Sequence, residues 1–336
     1  MLKDPFFDDY INKFSDHMRL SKGQREQDAL CMNIGPLYDL REGRDISQRD
    51  EVLKEANIIQ ENSDKKELDF QLNEVNKIII SVLENTNLHS LVLNNKSLLG
   101  SGKMLRSKLI QYLGISSNID REILSIAGAA VDIMHSASLI HDDVIDGGFL
   151  RRGNQTFWKK YGVNGAILFG DTLMFRSIAL LTKQPRVDLL NELINMTGEV
   201  CCSEAEQELI LREKSRSWND CINIARFKTG SLFAFAAVAG GSGDFTQANA
   251  LRECGFNIGT AYQLADDILD ACGNEDLSGK TLGIDQKRGK TTAITAFDGS
   301  PNNQVEYIEE LIKDSLEILS EWPILKDALE EYLEIE

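Results

Sequence analysis

Apolar residues recur at helical spacing through most of the chain. Leu68, Leu72, Val75, Ile79 and Val82 step by four and three, which places them on one face of an amphipathic helix. Phe7, Ile11, Phe14 and Met18 do the same near the start, and Ile308, Leu311, Ile312, Leu316 and Leu319 near the end. Other segments are apolar on most sides. Arg121 to Asp146 is rich in Ala, Ile, Leu and Met, and residues 164–183 and 222–240 read similarly, so each predicts a helix buried in a core. Gly147-Gly148, Gly240–Asp244 and Asp298–Asn303 punctuate them as turns or loops. Between about residue 20 and residue 66 the chain is charged and weakly periodic, as a solvated region would be. Strand-type alternation and internal repeats are both missing. The expectation is an all-α fold: a single large helical bundle over residues 68–336, preceded by a helical and polar extension over residues 1–67.

Composition refines this picture more than it changes it. The chain has 336 residues, 42% hydrophobic and 26% charged, enough for a sizeable core. Its five prolines leave residues 37–184 without one, which favours long helices. A net charge of -17 argues against nucleic acid as a partner, because phosphate backbones select basic surfaces. A small phosphorylated ligand remains compatible with it, held by metal ions and a local basic cluster. The six cysteines (Cys31, Cys201, Cys202, Cys221, Cys254 and Cys272) show no C-x-x-C spacing and read as reduced, mostly core thiols of a cytoplasmic protein. The first residues lack an apolar run of signal-peptide type. The most apolar segment, Ser231–Ala239, is too short to span a bilayer, so no transmembrane segment is expected.

The candidate chemistry lies in two aspartate-rich motifs. Asp142-Asp143-Val144-Ile145-Asp146 and Asp266-Asp267-Ile268-Leu269-Asp270 share one D-D-x-x-D form. On a helix, residues i and i+4 stack, so each motif presents two carboxylates on one face with a third about 100° away. Like charges at that spacing in apolar surroundings repel and call for a cation. Hard oxygen ligands at low density suit magnesium, which completes its shell with water and substrate phosphate. Against this stands a plain solvated acidic face, a reading that the repetition of the motif makes harder to hold.

Basic residues occur at discrete places. Lys103 and Arg106 lie in Gly102-Lys103-Met104-Leu105-Arg106, and Arg151-Arg152-Gly153 follows the first motif. Lys228-Thr229-Gly230 precedes an apolar segment, and Lys280 and Lys290 flank a turn-rich stretch. Arg offers bidentate phosphate contacts and Lys a point charge. Each could equally be a solvated surface charge. Gly289-Lys290-Thr291 lacks the upstream glycine spacing and preceding strand of a nucleotide-binding P-loop. His135 lies seven residues before Asp142, about two turns away, and should share its face.

Taken in order, these pieces, together with Gly170-Asp171 and Tyr262-Gln263-Leu264-Ala265 before the second motif, resemble the trans-isoprenyl diphosphate synthase (polyprenyl synthetase) family over roughly residues 68–300. The resemblance implies the isoprenoid synthase type I fold, with the aspartate helices facing each other across a deep central cavity, in a homodimer. It implies head-to-tail condensation of isopentenyl diphosphate with an allylic diphosphate, using Mg2+, three ions per active site. Asp142, Asp146 and Asp266 would hold the metal, supported by Asp143, Asp267 and Asp270. Lys103, Arg106, His135 and Arg152 would bind isopentenyl diphosphate. Arg151, Lys228, Thr229, Gln263, Lys280 and Lys290 would serve the allylic diphosphate.

The chain departs from the family pattern in places. Ser107 and Gln155 replace prolines, and Gln207 falls where many members carry a carboxylate, which weakens the case for a third acidic contributor there. Ala137 and Ser138, one turn before Asp142, are small where members stopping at fifteen carbons tend to carry a bulky aromatic. That predicts a product of twenty carbons or longer. A class I terpene cyclase is the first rival reading, disfavoured by the second motif and the Lys103/Arg106 pair. A subunit of a heteromeric prenyl synthase is the second, disfavoured because both aspartate sets are kept.

Overall fold

The computed structural model describes residues 66–95, 102–151, 153–211, 217–271 and 304–335, with backbone only at 269–271 and 335. Leu68–Tyr332 is one compact unit. The helix expected over residues 6–20, the loop over 298–303, Arg152, Lys280, Lys290 and the Asp270 side chain lie outside the described residues.

Helix follows helix: α1 (66–81), α2 (His89–Asn94), α3 (Leu105–Ser116), α4 (Arg121–Ile145), α5 (Phe157–Leu181), α6 (Val187–Leu209), α7 (Trp218–Ala225), α8 (Ser231–Ala239), α9 (Phe245–Ala271), α10 (Gln304–Ile318) and α11 (Pro323–Ile335). Among the described residues the only strands are Leu150–Arg151 and Asn154–Gln155, a two-residue antiparallel ribbon between α4 and α5. The fold is all-α.

Two packing centres organise it. Val75, Ile79 and Leu83 from α1 and its end meet Ala129, Ile133, Ala137 and Ile140 of α4 and Phe157, Ala166, Phe169 and Leu173 of α5. Phe157 and Phe169 stack with ring centroids 4.6 Å apart. The second centre is α8, every residue of which is buried. It packs against α3, α4, α6 and α9, which is why its sequence is apolar all round. Each large side chain removed from water there contributes about 1.5–3 kcal/mol.

Local signals explain several boundaries. Asp120 Oδ1 accepts hydrogen bonds from the Glu122 and Ile123 amides and so starts α4. Ser217 and Asp220 form a reciprocal capping box that starts α7. Other elements differ from the sequence expectation. The segment expected as one helix over 222–240 is three pieces, α7, a π-helical turn at Arg226–Gly230, and α8. Helix α5 begins seven residues before the expected 164 and kinks at Gly162, whose φ of 78° few other residues adopt. Helix α11 was not foreseen, although Pro323 at its first position and Leu325, Ala328, Leu329 and Tyr332, all buried, are a readable pattern.

Among the described residues two helices, α4 and α5, are long and apolar enough to cross a membrane by length and composition alone. The apolar window of α4 is 72% buried within the protein, as befits a core helix, and that of α5 only 28%. Leu168 and Phe175, seven residues apart and both beyond the Gly162 kink, are exposed on one face of α5.

Candidate active site

The first aspartate motif sits at the C-terminal end of α4, with Asp142 in the last turn and Asp146 as the C-cap. The helix dipole is negative there and no basic residue lies in the last turn, so these carboxylates meet an unfavourable field that charge from elsewhere must offset. Part of it comes from the ribbon. Arg151 Nε donates to Asp143 Oδ1 and Oδ2 at 3.1 and 3.2 Å, and its Nη2 donates to Oδ1 at 3.0 Å. Asp143 is buried, and that burial lifts its carboxyl above the usual range against the pull of Arg151. The turn between helix and ribbon is stitched down. The Gly148 carbonyl accepts from Thr156 Oγ1 at 2.8 Å and from Trp158 Nε1 at 2.7 Å.

Asp142 faces another way. Lys228 Nζ stands 4.0 Å from Asp142 Oδ2 and in ionic contact with Glu204 of α6. Burial pushes the Asp142 carboxyl up to about 6; Lys228 opposes this, while Glu204 and Asp146 add to it. Burial pulls the Lys228 ammonium down, but Asp142 and Glu204 outweigh it and the net shift is upward, so the lysine stays charged. Lys228 reaches this place from the π-helical turn, which π-bulges often supply at functional sites.

The same turn carries Thr229, whose Oγ1 donates to Gln263 Oε1 at 2.7 Å. Gln263 Nε2 in turn donates to Asp267 Oδ1 of the second motif at 2.8 Å. Lys228 and Thr229, adjacent in sequence, thus tie the first motif to the second. The approach is possible because α9 carries Gly259 one turn and Gly255 two turns before Gln263. A Cβ at Gly255 would lie 2.4 Å from Ala234 Cα, and one at Gly259 2.5 Å from Gly230 Cα.

A second cluster gathers on α3 and α4. Met104, the N-cap of α3, adopts left-handed φ of 52° between Lys103 and Arg106, a strained conformation of the kind that gathers at binding sites. Lys103 is exposed. The Arg106 guanidinium lies over the Phe233 ring at 4.7 Å, and burial lowers its pKa against the opposing Asp132, Tyr332 and Tyr262. Its Nε is buried without a hydrogen-bond partner among the described residues. Asp132, one turn before His135 on α4, accepts from Ser107 Oγ at 2.6 Å, and burial lifts it to about 6 against Ser107 and Arg106. The Ser138 hydroxyl donates to the His135 carbonyl at 2.8 Å.

Ala137 and Ser138, adjacent in sequence, have different surroundings. Ala137 is wholly buried in the core between α4 and α5, whereas Ser138 is half-buried. Sequence reasoning missed two residues of these clusters. Glu204 was passed over because Gln207 stands where a carboxylate was sought, yet it is the acid that meets Lys228. Asp132 was absorbed into an apolar helix. The available signal was the same for both: a carboxylate on the buried stripe of an otherwise apolar helix, which needs a partner.

The donor set fits magnesium. Glu204 Oε1 is buried without a hydrogen-bond partner among the described residues, and Asp142 and Asp146 add oxygens that repel one another. No group of three or more His, Cys, Asp or Glu among the described residues encloses a metal ion by itself. Magnesium does not require that, because it takes one or two carboxylates and fills the remainder with water and phosphate oxygens.

Comparison with known proteins gives the family. The description polyprenyl synthetase matches residues 90–321, so the chain belongs to the polyprenyl synthetase family. It is 31% identical over 198 residues to octaprenyl diphosphate synthase of Haemophilus influenzae, a match spanning 57% of this chain and only 60% of that protein. It is 30% identical over 262 residues to farnesyl diphosphate synthase of Bacillus subtilis, covering 71% of this chain and 85% of that one. The crystal structure of polyprenyl synthase from Caulobacter crescentus, complexed with calcium and isoprenyl diphosphate, superposes with a TM-score of 0.67 at 25% identity, over 80% of this chain and 94% of the other. The fold is that of the isoprenoid synthases.

Proposed function

We propose that the chain condenses isopentenyl diphosphate with an allylic diphosphate, head to tail, to give a trans-polyprenyl diphosphate. The observation that carries this reading is the π-helical turn, whose Lys228 meets Asp142 and whose Thr229 reaches Asp267 through Gln263. One cation and one hydroxyl thereby stand between two aspartate motifs, where an allylic diphosphate would be held and ionised. Asp142, Asp146 and Asp266 would hold magnesium, three ions per site, which supplies Lewis-acid neutralisation of the departing diphosphate. Lys228 adds a preorganised positive charge on the same side. Arg106, with its unpartnered Nε, together with Lys103 and His135, would take the isopentenyl diphosphate. Arg151 is engaged by Asp143, so in this reading it acts on the allylic diphosphate with the donors left over, after fixing the motif's position.

Relatives carry names from farnesyl to octaprenyl diphosphate synthase, so product length rests on this chain's own residues. Small Ser138, half-buried one turn below Asp142, favours a product of twenty carbons or longer. The exposed face with Leu168 and Phe175 is the one we assign to a homodimer. The free thiols Cys201, Cys202, Cys221 and Cys254 fit a reducing, cytoplasmic setting.

Incubating the pure protein with magnesium, labelled isopentenyl diphosphate and each allylic primer, then sizing the products, tests the reading. Elongated prenyl diphosphates are expected. Hydrocarbon release without elongation would replace it with a cyclase, and an inert pure chain would replace it with a subunit needing a partner.

A further inference from the structure

His141 sits where the hydrophobic anchorage of α4 ends. Ile140, the residue before it, is wholly buried in the core, whereas Ile145 at the end of the helix is 48% exposed. The last turn of α4 therefore carries two aspartates, an unfavourable dipole and few apolar contacts, with Val144 only partly buried against the core. Such a turn would fray unless polar ties held it. One tie is the Asp143–Arg151 pair. The other is His141, whose Nε2 lies 3.1 Å from the Ile167 carbonyl of α5 and 3.5 Å from Asp171 Oδ1.

The neighbouring helix leaves room for this contact. A Cβ at Gly170 would lie 2.2 Å from His141 Nε2 and 2.6 Å from its Cδ2, so any side chain there would expel the ring. Gly170 and Asp171 together make a slot that accepts the imidazole edge-on. In the tautomer with the proton on Nε2, the ring donates to the Ile167 carbonyl, with the Asp171 carboxylate beside the same proton. No charge on the histidine is needed for that bond.

We infer that His141, seated in the Gly170–Asp171 slot, is a positioning residue that fixes the last turn of α4 against α5 and so sets the direction of the Asp142 carboxylate for magnesium. The inference rests on the proposed magnesium-dependent reaction. It goes beyond it by assigning a role to a residue that touches neither metal nor substrate. Partners that orient a metal ligand in this indirect way commonly matter for affinity by an order of magnitude or more.

The test is a calorimetric titration of magnesium into the protein in the presence of inorganic diphosphate, with the unfolding midpoint measured alongside. His141→Ala should raise the half-saturating magnesium concentration about tenfold. Gly170→Ala, which keeps the imidazole but evicts it, should move it in the same direction. His141→Gln, whose amide can donate to the same carbonyl, should stay near the wild-type value. In turnover, the KM for isopentenyl diphosphate should hold while the magnesium requirement rises. An unchanged magnesium titration in both His141→Ala and Gly170→Ala would overturn the inference, as would equal losses for His141→Gln and His141→Ala. Wild-type protein that takes up no magnesium with diphosphate would instead overturn the parent reading, and this one with it.

Discussion

At the scale of single residues, the buried acid Asp132 has the clearest thermodynamic consequence. Its carboxyl, lifted to about 6 by burial, holds a proton more tightly in the fold than in the unfolded chain. Its contribution to stability is therefore fully present below the unfolded pKa near 4 and is lost as pH rises through about 6. The shift of about two units corresponds to about 3 kcal/mol. Urea unfolding at a series of pH values should show Asp132→Asn with a flatter decline than wild type between pH 4 and 6. Ser107 Oγ donates a hydrogen bond to that carboxylate at 2.6 Å. Ser107→Ala should cost about 1–3 kcal/mol at pH 8, where the acid is charged, and less at pH 4. This is also where sequence reading fell short. Ser107 was visible as a departure from proline, but what it bonds lies 25 residues away on another helix, and no local pattern encodes that.

Helix pairs fix the site. Gly259 meets the backbone of Gly230, so α9 presses on the turn that bears Lys228 and Thr229. Gly259→Ala should lower stability by about 1–3 kcal/mol through overpacking. It should also reduce activity more than its unfolding midpoint explains, because the added methyl pushes Gln263 away from Thr229. Between α4 and α5 the contrast of Ala137 with Ser138 makes a second prediction. Ser138→Phe should shorten the product, read by sizing labelled chains. Ala137→Phe should mainly destabilise, by about 1–3 kcal/mol, because it overfills a closed core. The aspartate helices were legible from their period and repeated motif. The π-helical turn was not, since Arg226–Gly230 falls within a stretch that reads as one continuous helix, and only packing against α6 and α9 reveals the change of pitch. Glu204 escaped for a related reason: its meaning depends on which residue α6 sets opposite it.

For the whole molecule, the balance of apolar and charged surface matters most. A chain of net charge -17 that still exposes Leu168 and Phe175 along one helix has a face suited to a second copy. If the proposed homodimer uses this face, paired replacement by Leu168→Glu and Phe175→Glu should give a monomer in light scattering, with the helical circular dichroism kept. The all-α architecture was legible from periodicity, because long runs without proline or strand alternation leave little else. The buried α8 was legible as a core helix but not as the centre of the unit, since a nine-residue apolar stretch does not announce which four helices will surround it.

The π-helical turn has a consequence for how this chain can change over generations. A π turn amounts to one residue beyond what an α-helix would need, and that surplus sets the rotational phase of everything after it. Deleting a residue from Arg226–Gly230 would relax the segment to ordinary pitch and rotate Lys228 and Thr229 by about 100° relative to α8. Point substitutions there can be compensated one at a time, whereas a deletion would break both ties in a single step. The length of this segment should therefore be far less variable than its composition, and libraries built by random insertion and deletion should return almost no active members altered between Arg226 and Gly230.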